Sequence, residues 1–305
     1  MNRRKKRWGA AIAFTALAAG HAMAADLRAK APVYKAPPPV ISWSGFYVGA
    51  NAGYGWADSN VGFAGDNLVG LFLVTPAIVF AGATPLGPAS FRSQGGTAGL
   101  QVGYNWQVGP AWLVGFETDI NWADITGSGQ SFNLLVPQVP LFQTVLADRR
   151  IRSYGTVRAR LGWLPTPNVL LYGTGGFAYG RVAESVTEVL TAPGIPLGTP
   201  VTIQGNGTSL ACTLGNSCLA GSSARTATGW AAGFGGEFAA GPNVTVKGEY
   251  LYVNLGGDSF HAVAPATAPG SPIPASITAA YNQVNLHTVR IGINYRFDGP
   301  LVAAY

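Results

Sequence analysis

The residues best suited to chemistry are acids and bases that recur at every second position. Glu117, Asp119, Glu237 and Glu249 share an alternating phase with Arg152, Arg158, Arg160, Lys247, Arg290 and Arg296. Carboxylates held close together can act as a general acid and a general base. The same residue types serve a structural end when they leave water, because buried ions must be paired. The chain has no Gly-x-Ser-x-Gly, His-Glu-x-x-His or P-loop motif. A lipid-modifying hydrolase would need a Ser/His/acid set, and His287 is the histidine nearest to meeting that need. His261 and His287 are also the candidates for a haem ligand, and no metal site is expected. Cys212 and Cys218 lie in a Gly/Ser/Asn-rich stretch and are expected to form a local disulfide, since two cysteines without a neighbouring histidine make a poor metal site.

The elements that must hold these charges are strands. Eight segments alternate with period two. In the first, Phe46, Val48, Ala50, Ala52, Tyr54 and Trp56 oppose Gly45, Gly49, Asn51, Gly53 and Gly55. In the fourth, Ile151, Val157, Ala159, Leu161 and Trp163 oppose Arg152, Tyr154, Thr156, Arg158 and Arg160. The fifth, Val169 to Val182, is rich in glycine and weakly phased. In the eighth, Val289, Ile291, Ile293, Tyr295 and Phe297 oppose Arg290, Gly292, Asn294 and Arg296.

The connections sort by length. Gly109-Pro110, Leu164 to Asn168 and Ala240 to Asn243 are tight turns of the expected residue types. Between them lie long gaps: 57–93, 124–149, 183–225 and 256–282. Tight turns on one rim and long loops on the other describe a transmembrane barrel with periplasmic turns, and a β-sandwich has no reason to sort its connections so. Closure follows, because an open sheet edge in hydrocarbon leaves amides without partners. The expected fold is therefore all-β, an eight-stranded antiparallel transmembrane β-barrel with long extracellular loops. Apolar faces point to lipid, and the charged faces meet inside as a network of ion pairs and water. Such a lumen is filled or at most narrowly conducting. Aromatics near the ends of the apolar faces, including Trp56, Trp106, Trp112, Trp122 and Trp163, fit interfacial girdles.

Composition agrees. Of 305 residues 42 are glycine and only 10% are charged. No apolar run in the mature chain reaches the ~20 residues of a spanning helix. Arg3 to Arg7, an apolar core from Gly9 to Gly20 and Ala22-Met23-Ala24 read as a signal peptide, 1–24, cut after Ala24. Its removal leaves 14 basic and 13 acidic residues, which gives no support for nucleic-acid binding. Residues 25–42 read as a Pro-rich periplasmic tether, 43–297 as the barrel and 298–305 as a tail. Two gap segments, Leu68 to Phe80 and Leu134 to Phe142, are strongly apolar. The preferred reading is that strands continue past the bilayer as hairpins, with Thr75-Pro76 as one turn. The alternative is a contact patch for a ligand, lipopolysaccharide or a host surface.

Trp43-Ser-Gly-Phe-Tyr-Val-Gly-Ala-Asn-Ala-Gly-Tyr-Gly-Trp56, after an Ala-Asp-Leu start and a Lys-Ala-Pro-Pro-Pro linker, resembles the OmpA-like outer-membrane immunogenic and hemin-binding proteins, porin-family barrels of Gram-negative bacteria. The resemblance covers nearly the whole mature chain. Thr288 to Phe297 is similar to the barrel-assembly signal, carried by Arg290, Gly292, Tyr295 and Phe297, here followed by a tail. It implies recognition by the assembly machinery, a role in envelope integrity, antigenicity and, in some members, haem binding; it implies no enzyme. The Ala25-Asp26 start resembles that of relatives joined covalently to peptidoglycan, with Ala25 as the attachment point. A monomer in outer-membrane lipid is the expected state. Against the structural role stand two alternatives, a haem- or host-ligand-binding surface barrel and a small passive porin.

Overall fold

The computed structural model describes residues 42–65, 72–73, 86–136, 140–205, 208–265 and 273–297. The proposed signal peptide, nearly all of the Pro-rich tether with Ala25, the tail after Phe297 and most of Leu68 to Phe80 with Thr75-Pro76 lie outside them. The strands in chain order are β1 Gly45–Gly65, β2 Phe72–Leu73, β3 Ala89–Val108, β4 Trp112–Val136, β5 Leu141–Thr166, β6 Val169–Thr191, β7 Pro200–Gly205, β8 Thr208–Thr213, β9 Ser217–Ala239, β10 Val244–Leu255, β11 Asp258–Val263, β12 Ile273–Pro274, β13 Ser276–Tyr281 and β14 Val284–Arg296.

Eight of them close a ring at the level of the tight turns: β1, β3, β4, β5, β6, β9, β10 and β14, each antiparallel to its neighbours. The first strand meets the last from Tyr47↔Arg296 to Ala57↔Leu286, so neither edge is left open. On this storey the alternation puts Val48, Leu100, Ile120, Val157 and Ile293 outside and Asn51, Gln101, Asp119, Arg158 and Asn294 inside. An outer surface this apolar belongs in hydrocarbon. Rings mark both rims: Trp106, Trp112, Trp163, Phe238 and Tyr295 toward the tight turns, and Tyr54, Trp122 and Trp230 toward the far side, all exposed.

The strands do not stop at the second rim. β4 and β5 pair as far as Val136↔Leu141, β5 and β6 as far as Phe142↔Thr191. Much of what the sequence presents as long gaps is therefore paired strand, and in the apolar segment Leu134 to Phe142 the described residues Leu134 and Val136 pair with Phe142 and Leu141. β10 gives way to β11, and β14 to β13, so β11 and β13 complete the ring between β9 and β1. The solvent preference of the two faces inverts here. Val61, Val145, Val186, Leu190, Leu219 and Ile277 fill the interior as one apolar core, while Asp58, Arg92, Asp148 and Arg150 face out. This is the pattern of a barrel standing in water. Next to this core, Cys212 and Cys218 form the expected disulfide, closing the hairpin end between β8 and β9.

Two close approaches fix the register of the membrane storey. The Tyr47 ring lies over Gly103, and the Tyr172 ring lies over Gly235. A Cβ on Gly103 would sit 2.4 Å from the Tyr47 hydroxyl, and one on Gly235 would sit 2.7 Å from that of Tyr172. Glycine opposite an aromatic ring leaves the ring room to lie flat across the strand.

The ring predicts heat-modifiable migration: unboiled protein in SDS runs as a compact species and boiled protein does not. Gly103→Val should destabilise the barrel by about 1–3 kcal/mol, read as a lower temperature at which the compact band disappears.

Candidate functional site

The charged residues converge in the lumen of the membrane storey. Glycines at inward positions of the pleated strands leave room for long side chains to reach the axis. Arg158 sits at the centre. Its guanidinium donates to Glu117 Oε1 at 2.7 Å, to Asp119 Oδ2 at 2.8 Å and to Glu249 Oε1 at 2.6 Å. Arg290 closes the other side, donating to Glu249 Oε2 at 2.6 Å and to Asp119 Oδ2 at 3.0 Å. Lys247 Nζ lies 2.8 Å from Glu117 Oε2. Tyr47 donates to the same carboxylate at 2.8 Å. Nearer the tight turns, Arg160 pairs with Glu237 and lies 3.8 Å from the Tyr172 ring centroid. Glu237 also accepts from Thr245 and from Asn294, and Asn294 links through Gln101 to Asn51. Four cations thus face four carboxylates, and none of the eight is more than 4% exposed.

Below this network the mouth is stoppered. Trp43 is buried with Leu113, Leu164 and Leu170, and its indole NH donates to the Pro167 carbonyl at 2.9 Å. Arg296, expected in the ion-pair network, is here instead. Its guanidinium donates to the Ser42 and Pro242 carbonyls at 2.6 and 2.8 Å and stacks near Trp43. It closes the ring's lower rim through backbone oxygens, because it lies beyond the last inward carboxylate.

Arg152 is also displaced from the expected network. Ile151 and Ser153 pair with the adjacent residues Val182 and Arg181, so Arg152 is an extra residue in β5. The bulge reverses the phase of the strand. Ile151 therefore turns inward and is buried, while Arg152 is exposed on the outer surface. The sequence does carry the signal: odd positions Val145, Ala147 and Ile151 are apolar, even ones below are not.

The two histidines are apart. His261 lies at the level of Thr278 and Ala64, whereas His287 lies at that of Trp56. Eight residues of β1 separate these levels, about 25 Å at the usual strand rise, so one haem cannot bridge both. His287 stacks on Trp56, and its Nδ1 lies 2.6 Å from the Tyr250 hydroxyl on the outer face. His261 is exposed, with Nδ1 at 3.2 Å from Thr278 Oγ1. Of the residues expected to carry an assembly signal, Arg290 and Gly292 face the lumen, and Tyr295 and Phe297 face out, edge to face at 5.4 Å.

Sequence reasoning missed the ionic groups of the outer storey, which lie in the apparent gaps. Arg149 donates to Glu184 at 2.8 Å, to Ser59 and to the Asn282 carbonyl, where β13 gives way to β14. Burial lowers the Arg149 pKa and raises that of Glu184. Glu188 faces the apolar core with only Gln143 beside it, and its Oε2 has no hydrogen-bond partner. Burial pushes its carboxyl up to about 7.

Two outcomes follow. Glu117→Ala leaves Lys247 and Arg158 short of counter-charge and should cost about 3–5 kcal/mol, measured as the urea midpoint in lipid vesicles. Glu188 has a folded pKa above its ordinary 4.5. Its contribution is therefore full below pH ~4.5 and is lost as pH rises through ~7. Glu188→Gln should protect β5 and β6 amides of the outer storey above pH ~7 by roughly 3 kcal/mol relative to wild type, and leave them unchanged near pH ~4, as read by hydrogen exchange.

Sequence comparison with known proteins agrees with this architecture. Residues 12–297 match the outer membrane protein beta-barrel domain family. The 31 kDa outer-membrane immunogenic proteins of Brucella melitensis biotype 1 and Brucella suis biovar 1 are each 31% identical over 284 residues, spanning 92% of this chain and 96% of theirs. Among solved structures, the outer membrane protein OprG from Pseudomonas aeruginosa aligns over 83% of this chain and 97% of its own, at 11% identity and a TM-score of 0.39. With its lipid-facing ring, its tight turns on one rim and a sequence match over nearly its whole length, this chain belongs to the outer membrane protein beta-barrel family and resides in the outer membrane of a Gram-negative bacterium.

Proposed function

We propose that this protein is a non-enzymatic structural barrel of the outer membrane, closed to solutes, that contributes to the integrity of the envelope. The observation that carries this reading is the lumen. Its ions are paired with one another and buried, and Trp43 with Arg296 covers the mouth toward the tight turns. A solute would have to break several charge-assisted hydrogen bonds at once, each stronger than a neutral one. Acids that serve as proton-transfer catalysts need access to a substrate, and these carboxylates reach only cations, hydroxyls and amides of the protein itself.

The outer storey supports a second part of the role. It presents polar residues to the outside over an apolar core, a stable surface for recognition. The Brucella relatives are named immunogenic proteins, and we extend surface antigenicity to this chain on that basis. The barrel needs no partner subunit to satisfy its backbone, which favours a monomer.

Planar-bilayer recording tests the closed lumen. Wild-type protein should give no conductance steps, or only very small ones, and Arg158→Ala combined with Glu249→Ala should open small ones. Large steps from the wild type would assign a porin instead.

A further inference from the structure

Outward-facing charges just beyond the lipid-facing band are unevenly distributed. On β1 and β3, Asp58 and Arg92 neutralise one another at 2.8 Å. On β5 and β6 the cations are unpaired. The bulge that turns Arg152 outward sets it beside Arg181, since Ser153 pairs with Arg181 and Arg150 with Ala183. Arg150, Arg152 and Arg181 are exposed. Among the described residues none of the three forms an ion pair or a side-chain hydrogen bond. Asp148 lines the same groove and Asp124 lies nearby, and neither pairs with these arginines. Arg150 and Arg152 line a surface groove with the hydroxyl residues Thr126, Ser128, Ser185 and Ser222. The depth is marked by rings: Trp122 pairs with Ser153, and Tyr179 with Gly155. The patch therefore stands at the level of the outer headgroups.

Below it the same strands carry a second feature. Ala159, Gly175 and Ala232 are cross-strand neighbours on the lipid face, with Gly173 one pleat further down between Leu161 and Phe234. They form the floor of an apolar groove. Gly175 lies six residues from Arg181 along β6, about 20 Å at the usual rise. At the ~40° tilt of such strands this is about 15 Å of depth, half the hydrocarbon thickness.

We propose that Arg150, Arg152 and Arg181 bind the phosphate of a phosphorylated outer-leaflet glycolipid, of the lipid A type, whose acyl chain runs down into the groove over Gly173 and Gly175. Arginine forks match phosphate oxygens in pairs of hydrogen bonds. The hydroxyl residues of the polar groove suit the sugar to which the phosphate is joined. A headgroup above and one leaflet's depth of groove below fit a lipid rather than a free anion. The inference rests on the outer-membrane barrel and is independent of whether the lumen conducts.

The test is native mass spectrometry of the full mature chain in detergent, titrated with bisphosphorylated lipid A, with dephosphorylated lipid A and with inorganic phosphate. The bisphosphorylated form should bind with one molecule retained, and neither of the other two should displace it. Arg150→Gln, Arg152→Gln and Arg181→Gln combined should weaken retention on the order of 100-fold, and each alone about fivefold, at the usual effect of one arginine near an anionic headgroup. Arg92→Gln should leave retention unchanged. Gly175→Phe fills the groove from the lipid side and should weaken retention several-fold. Heat-modifiable migration establishes that each variant is folded. Wild-type binding by the folded triple variant, or equal binding of the dephosphorylated lipid, overturns the phosphate site. Displacement by inorganic phosphate overturns the assignment to a lipid, and unchanged binding by Gly175→Phe overturns the groove.

Discussion

In hydrocarbon a backbone amide has no water to turn to, so every N–H and C=O between the two aromatic rims must find its partner in the chain itself. The β1–β14 pairing from Tyr47↔Arg296 to Ala57↔Leu286 is where that requirement is met or lost. It joins residues some 240 positions apart. The seven other seams of the ring are sequential or nearly so, and this one makes the sheet endless. The strand number, the inward direction of the charges and the outward direction of the rings are consequences of the closure.

Closure at eight strands leaves a narrow interior, and a narrow interior dictates what can fill it. Arg158 reaches Glu117, Asp119 and Glu249 at once because the lumen is only a few side chains across. Buried ions of this kind contribute little net stability when compared with an apolar core, but each becomes costly once its partner is gone. The network therefore holds together as a unit, and its side chains fill the lumen. Tyr47 and Tyr172 extend it by lying over Gly103 and Gly235, which ties the polar interior to the register of the strands.

One strand serves two solvents. β5 has Val157, Ala159 and Leu161 facing lipid below, while Val145 and Ala147 face an apolar interior above. The exchange of inside and outside is made at the bulge of Arg152, with a matching irregularity between Trp122 and Ile125 of β4. The bulge is also what brings Arg152 to the outer surface beside Arg181. A local irregularity needed to change the pattern thus places a cation at headgroup depth, where it can act.

The sequence by itself determined the class of fold. Period-two alternation in eight segments, tight turns alternating with long gaps and apolar faces ending in aromatics require a closed membrane barrel, because each is a local consequence of side chains choosing between lipid, lumen and water. It also put Glu117, Asp119, Arg158, Arg160, Glu237, Lys247, Glu249 and Arg290 on inward faces, since phase within a regular strand is fixed by the pleat. It left open which ions pair, because Glu117 and Lys247 are 130 residues apart and meet only once the ring is shut. The apolar gap segments pointed to strands running past the bilayer as hairpins, but the gaps concealed that apolar residues turn inward there and that the expected direction of hydrophobicity is reversed. Arg152 and Ile151 were misplaced for the same reason: a single inserted residue reverses the phase of everything beyond it, and its position is set by the neighbouring strands β4 and β6. Arg296 stands apart for a third reason, since only the closed lower rim brings it to Trp43 and the carbonyls of Ser42 and Pro242. What is local in the chain was legible; what depends on strands meeting across the ring was decided by the tertiary structure.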